Sequence, residues 1–322
     1  MIKSKEFSNL KLDNVRASAN YNLIAAFGFR TCVILDSELE IIQKYLDSNK
    51  MENFYCGEFY EDNKILFCMG GESGVIKILD IKEGLLFGHL KGHMGAILSI
   101  KIFHNYIISS GADSSTRYWD ITTMSCIGVC GGLLGHKDHV LSVDVMHNSE
   151  LMVTSGTDCI INQWEFKTHI DKYLENKTYI FNDKPFSSFS GVHRSAVSKT
   201  MYYGNMIVSL GNNIISVIYN NIDKKTIQRD FGMGKDDPII VGNIELYENC
   251  KTFTIKNHVL IGMSTSGDIY IFDLRNIRDE KTPFILESNV GSVEDFVYLN
   301  EFLYITNGKS INKIKMDLSR FD

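Results

Sequence analysis

Two histidines are each followed, at nearly the same spacing, by a serine, an aspartate and a tryptophan: His93, Ser110, Asp113, Trp119 and His136, Ser155, Asp158, Trp164. An imidazole between a carboxylate and a hydroxyl is the arrangement of a hydrolase triad, in which it takes the hydroxyl proton. The same groups with an indole N–H also form a chain of donors and acceptors that can be buried without orphans. The elements that carry them decide between the two. Other chemistry is sparse. No GxSxG, HExxH, phosphate-loop, kinase or dinucleotide fingerprint stands in a strand-turn-helix setting. Gly232-Met233-Gly234-Lys235 lacks the leading glycine spacing and a following Ser or Thr, and reads as a loop, as does Asp236-Asp237 ahead of Pro238. Cys126 and Cys130 near His136 fall short of the four compact ligands of a thiolate metal site and read as small buried hydrophobes. No metal, no cofactor and no catalysis are expected.

The rest of the composition narrows the field further. With 322 residues, 44% hydrophobic and 22% charged, the chain can bury a large core. A net charge of −6 supplies no global basic field, so direct sequence-specific nucleic-acid binding is not expected. Seven cysteines (Cys32, Cys56, Cys68, Cys126, Cys130, Cys159, Cys250) contain no CxxC pair and point to a reducing compartment. Met-Ile-Lys-Ser-Lys-Glu at the start lacks a secretory pattern, and no stretch reaches the ~18 apolar residues of a membrane span. The expectation is a soluble intracellular protein without membrane contact.

Stepping along the chain, one unit recurs: a Gly or small-residue turn, an alternating strand, then usually an acidic residue. The copies run Phe27 to Asp36, Gly70 to Asp80, Gly111 to Asp120, Gly156 to Glu165, Gly211 to Asn220, Gly267 to Asp273 and Gly308 to Asp317. Their closing residues lie roughly 40 to 55 apart, near the ~40–45 of WD40 blades. Alternation such as Ile76 and Ile78 against Val75 and Lys77 suits a half-buried strand. A lone sheet of this kind would expose an apolar face, so the copies must stack radially and close a ring. The expected fold is therefore all-β, a single seven-bladed WD40 β-propeller over 1–322, with a short tail at about 1–10 and a longer insertion at about 167–195. Gly92-His93 with Trp119-Asp120, and Gly135-His136 with Trp164-Glu165, carry the fuller WD40 signature. In that setting the two His-Ser-Asp-Trp sets are structural networks.

The segment Ile127 to Glu165 is more particular than a generic blade, with Gly131-Gly132 ahead of Gly135-His136 and Asp138-His139-Val140-Leu141-Ser142 after it. It resembles the embryonic ectoderm development (Extra sex combs) family, the WD40 subunit of Polycomb repressive complex 2. Glu52-Asn53-Phe54-Tyr55, Lys184-Pro185-Phe186, Phe189-Ser190 and Val192-His193-Arg194 are similar to further stretches of that family, in order. The resemblance covers about two thirds of the chain and thins over the last two blades. It implies a nuclear, non-catalytic chromatin subunit that holds a SET-domain histone methyltransferase of the Enhancer of zeste type, beside other subunits of that complex. It also implies recognition of a trimethyl-lysine histone H3 tail by an aromatic cage, through cation–π attraction. Tyr55 matches a cage tyrosine, and Phe253 is the candidate on the sixth blade. The family's first-blade phenylalanine falls near Asp13 or Asn14, with Phe7 within a register slip, and its last-blade arginine falls at Glu294. The same scaffold could instead be an adaptor for ubiquitin ligation, trafficking or RNA processing, because the fold hosts all of these.

Overall fold

The computed structural model describes residues 2–146, 151–176, 179–219, 238–278, 282–288 and 290–321. Seven antiparallel sheets follow one another along the chain, and each of the seven sequence copies supplies a turn and the third strand of one sheet. The first sheet sets the pattern, with Asn14–Ser18, Leu23–Phe27, Thr31–Asp36 and Ile41–Leu46 pairing in sequence order. The remaining innermost strands are Phe54–Glu61, Ile97–Phe103, Val140–Val145, Val197–Tyr203, Cys250–Lys256 and Asp295–Leu299. Each touches the innermost strand of the next sheet, and Asp295–Leu299 returns to Asn14–Ser18, so the ring is closed. The architecture is a seven-bladed β-propeller.

Short polar side chains stitch neighbouring innermost strands. The amide of Val143 donates to Ser99 Oγ at 3.3 Å, that of Thr200 to Ser142 Oγ at 3.1 Å, and that of Val15 to Asp295 Oδ2 at 3.2 Å. Three blade junctions thus use one device, an amide left over by the ladder given a side-chain acceptor from the preceding blade. Between the blades lie apolar layers. Trp119 packs with Ile76, Ile78, Leu90 and Ile97 between the second and third blades, and Trp164 with Ile108, Tyr118, Ile127 and Met152 between the third and fourth. Stacking on both faces explains why Thr31–Cys32–Val33–Ile34–Leu35 is buried throughout. The period-two alternation expected of these strands is kept in Val75–Asp80, where Val75 and Lys77 stay partly exposed.

Two segments differ from the sequence expectation. Residues 2–6, placed in a tail, form the strand Ile2–Glu6, which pairs with Ser310–Lys315 from Ile2 opposite Ile314 to Glu6 opposite Ser310. The seventh blade therefore takes its outer strand from the start of the chain and its other three from the end. The stretch read as an insertion at about 167–195 contains the helix Lys167–Asn176 and two strands. Ser187–Phe189 is the outer strand of the fourth blade, and Ile180–Asn182 adds a fifth, parallel strand to the third blade beside Ser125–Cys130. The loop readings at Gly232 to Lys235 and Asp236-Asp237 lie outside the described residues.

Candidate functional site

In the third blade, His93 Nδ1 lies 2.9 and 3.0 Å from the two Asp113 oxygens, and its Nε2 is 2.8 Å from Ser109 Oγ. Trp119 Nε1 donates to the same Ser109 Oγ at 2.8 Å. Because Asp113 as a carboxylate can only accept, Nδ1 carries a proton against it, and the neutral ring then accepts at Nε2 from the Ser109 hydroxyl, whose oxygen also accepts from the indole. The fourth blade repeats this. His136 Nδ1 meets Asp158 at 3.0 and 3.1 Å, Nε2 meets Thr154 Oγ1 at 2.9 Å, and Trp164 Nε1 donates to that hydroxyl at 2.8 Å. Burial works against each carboxylate, but the histidine and nearby amides outweigh it, and Asp113 and Asp158 are both held below their ordinary range. Ser109 and Thr154 are fully buried, so neither hydroxyl can meet a substrate.

The hydroxyl of each network is one residue earlier than the sequence reading placed it. Ser110 and Ser155 follow Ser109 and Thr154 on their strands, and successive strand side chains point to opposite faces. Ser155 Oγ instead donates to the Val197 carbonyl of the next blade at 3.1 Å, while Ser110 Oγ is buried without a hydrogen-bond partner among the described residues.

A third, partial network lies in the fifth blade, outside the sequence expectation. His193 Nε2 lies 2.8 Å from Ser209 Oγ in the fifth blade. Burial without a carboxylate at Nδ1 pushes its pKa down to about 4. The signal was present in the spacing. His93, His136 and His193 each stand four residues before the first residue of an innermost strand, at Ile97, Val140 and Val197. Ser109, Thr154 and Ser209 each stand two residues before a glycine. That glycine makes room for the imidazole, since a Cβ on Gly211 would come within 2.5 Å of His193 Nδ1.

The second blade carries a buried cluster of charge on the side facing the first. Lys77 pairs with Asp47 and, at 3.3 Å, with Glu52. Tyr45 donates its hydroxyl to Asp47 at 2.9 Å. Despite burial, Lys77, the Asn49 amide and Tyr45 hold Asp47 below its ordinary range.

Of the two cage candidates, Tyr55 is partly exposed and Phe253 is fully buried. Tyr55 is the unpaired residue at an irregularity in its innermost strand, between Phe54 and Cys56, and its hydroxyl donates to Glu72 Oε2 at 2.6 Å. That bond pushes its pKa up. The sixth blade has the same irregularity between Cys250 and Thr252, so the residue level with Tyr55 is Lys251, which pairs with Glu294. Phe253 falls two residues later and packs with Val208, Leu210 and Leu260 between the fifth and sixth blades. Phe7 is buried with Leu12 and Val15, Asp13 pairs with Lys11 at 3.3 Å, and Asn14 donates to the Phe54 carbonyl at 3.1 Å. The structure does not bring Tyr55 and Phe253 to a common level.

Below that level the central channel is charged. Arg16 pairs with Asp295 at 2.6 Å, and Lys101 with Asp144 at 3.4 Å and Glu58 at 3.9 Å. Lys199 donates to Thr252 Oγ1 at 2.9 Å and stands 5.6 Å from the Phe253 ring centre. Burial, then Arg16 and Lys101, push its pKa down to about 8 against the pull of Asp295 and Asp144. Among the described residues no group of three or more His, Cys, Asp or Glu side chains could hold a metal ion.

The WD domain, G-beta repeat family model matches residues 84–120 and 125–165, which span the outer strand of the second blade, the third blade, and much of the fourth. The Drosophila melanogaster Polycomb protein esc is 30% identical over 191 residues, 53% of this chain and 45% of that protein. The Chaetomium thermophilum Polycomb protein EED is 29% identical over 211 residues, 62% of this chain and 35% of that protein. The chain thus spans less than half the length of these two relatives. A chain in the crystal structure of the Chaetomium thermophilum polycomb repressive complex 2 superposes with a TM-score of 0.78 over 97% of this chain and 96% of that one, at 15% identity. At that identity the likeness is one of fold.

Proposed function

We infer, from a chain that belongs to the esc/EED family of WD40 propellers, that it is a non-catalytic scaffold subunit of a Polycomb-type histone H3 lysine methyltransferase complex in the nucleus. The observation that carries this reading is similarity to Polycomb esc and EED proteins over more than half of the chain. The closed ring is consistent with it, because a rigid scaffold presents loops and blade edges to partners. The partner is a SET-domain methyltransferase of the Enhancer of zeste type, together with other subunits of the same complex, which it stimulates by holding it in place.

Reading of a trimethyl-lysine histone H3 tail would rest on Tyr55. One aromatic face gives ~0.5–1 kcal/mol to an exposed quaternary ammonium. Phe253, the second candidate, is enclosed in the core and has a lysine already near its ring. Scaffolding does not need the cage. The test is purification of the protein from its own cells, followed by titration with a trimethyl-lysine histone H3 peptide. Recovery of the methyltransferase supports the subunit role, and peptide binding lost in Tyr55→Ala supports the reader role. Recovery without peptide binding leaves a scaffold alone, and failure to recover a methyltransferase overturns the assignment.

A further inference from the structure

Between the second and third blades, the wall carries a carboxylate that the charges of the channel do not balance. Glu58, Tyr60 and Asp62 alternate along the face of Phe54–Glu61, and of the turn after it, that looks onto the third blade. Tyr60 packs there with Ile97 and Ile100 and donates its hydroxyl to Asn105 Oδ1 at 2.8 Å, which ties the two blades together. A cavity of about 620 Å³ opens beside these three residues, at the end of the strand away from Tyr55, and Lys101, Ile102 and His104 line it from the third blade. Deeper in the channel Arg16, Lys101 and Lys199 equal Glu58, Asp144 and Asp295 in number, and Lys101 lies nearer to Asp144, at 3.4 Å, than to Glu58, at 3.9 Å. Asp62 is additional to that balance. Its partners are neutral, Asn63 Nδ2 at 3.1 Å and the Tyr60 hydroxyl at 3.4 Å, and among the described residues no cation stands within ion-pair distance of it. Lys64 turns away to Asp80 at 3.7 Å and to the Phe87 ring, while Glu61, on the opposite face, accepts from Asn20.

We propose that this cavity receives an arginine side chain presented by a polypeptide partner. Asp62 and His104 at its rim are exposed, so a side chain enters from outside without threading the channel. The guanidinium takes Asp62 in a two-pronged, charge-assisted bond, and Glu58, which shares its one cation with Asp144, adds attraction from below. Ile102 and the Tyr60 ring give the aliphatic stem an apolar wall. Arginine suits the site better than lysine on two grounds. Entry strips water from the cation, and a guanidinium is more weakly hydrated than an ammonium. Its planar fork also fits a single carboxylate with two donors, where an ammonium meets it as a point charge beside the Lys101 ammonium already present. The site does not rest on the assignment to a methyltransferase complex, and its test needs none.

The experiment is a saturation-transfer NMR titration of the full chain at pH 7 with N-acetyl-arginine amide, blocked at both ends as in a polypeptide. N-acetyl-lysine amide and N-acetyl-citrulline amide serve as comparisons, the second keeping the planar shape without the charge. The expected result is saturable binding of the arginine probe, weaker binding of the lysine probe and none of the citrulline probe. Asp62→Asn should weaken the arginine probe about tenfold, the loss of one charge-assisted bond. That position is exposed, so the variant should fold. Glu287→Gln, on the outer strand of the sixth blade, removes a carboxylate elsewhere and should change nothing. Ile102→Trp narrows the cavity with every carboxylate in place, and it should abolish binding if the cavity, rather than the general negative field, holds the probe. No binding of the arginine probe, equal binding of the arginine and lysine probes, undiminished binding in Asp62→Asn, or binding kept in Ile102→Trp overturns the proposal.

Discussion

Protonating His193 would bury a charge beside a serine hydroxyl, with no carboxylate at the other nitrogen to receive it. In the folded chain the ring stays neutral down to about pH 4, whereas in the unfolded chain it takes a proton near its ordinary value of 6.5. The unfolded state therefore binds more protons between those values, and stability is lost as the pH falls through that window. At ~1.4 kcal/mol per pH unit the loss is on the order of 3 kcal/mol. Urea midpoints measured from pH 7 to pH 4 should fall more steeply for the wild type than for His193→Gln, which cannot titrate. Parallel curves would refute this account. The comparison with His93 and His136 also shows how far the residues could be read from sequence. The types were legible, since histidine, aspartate and tryptophan all stand in the expected networks, but the hydroxyl was misplaced by one residue in each. Two adjacent hydroxyl residues occur in both strands, Ser109-Ser110 and Thr154-Ser155, and only the face each occupies distinguishes them.

At the scale of elements, Lys77 ties the third strand of the second blade to Asp47, just beyond the outer strand of the first, and to Glu52, just before the second blade begins. Both carboxylates are buried, so removing the lysine alone leaves two charges without a counter-ion. Lys77→Met is expected to cost ~3–5 kcal/mol, and adding Asp47→Asn and Glu52→Gln should recover most of that loss, because neutral amides carry a smaller desolvation penalty. Equilibrium unfolding in urea at pH 7 checks both halves. A triple variant no more stable than the single one would show that the lysine acts through its contact with Phe54 rather than through its charge. Sequence patterning located the third strands well, since a turn followed by buried aliphatics recurs in all seven blades. It missed Ile2–Glu6, whose pattern is exposed almost throughout and whose identity as a strand comes from its partner some 300 residues away. It also read Ile180–Asn182 only as part of an insertion, because three residues are too few to show a period.

For the whole molecule, closure is the property on which the scaffold depends, and the two ends of the chain meet in it twice, where Ile2–Glu6 pairs with Ser310–Lys315 and where Asn14–Ser18 touches Asp295–Leu299. In an open array of repeats each unit is stabilised only by its neighbours, and terminal units fray first. A closed ring has no terminal unit. The seventh blade is held to the first by the Val15 and Arg16 bonds to Asp295 and by Thr306 Oγ1 donating to the Leu12 carbonyl. Both tryptophans lie in the third and fourth blades, away from the closure, and so report on whether its loss is felt across the ring. Deleting residues 2–6 removes only the outer strand of the seventh blade. If the ring unfolds as one unit, indole emission and far-ultraviolet circular dichroism will keep a common midpoint, shifted together to lower urea. If the blades behave as an open array, the indole midpoint will stay where it was while the dichroism transition broadens from the low-urea side. The inner-strand contacts running unbroken from Asn14–Ser18 round to Asp295–Leu299 favour the common shift, since a frayed seventh blade would uncover the apolar faces of both neighbours.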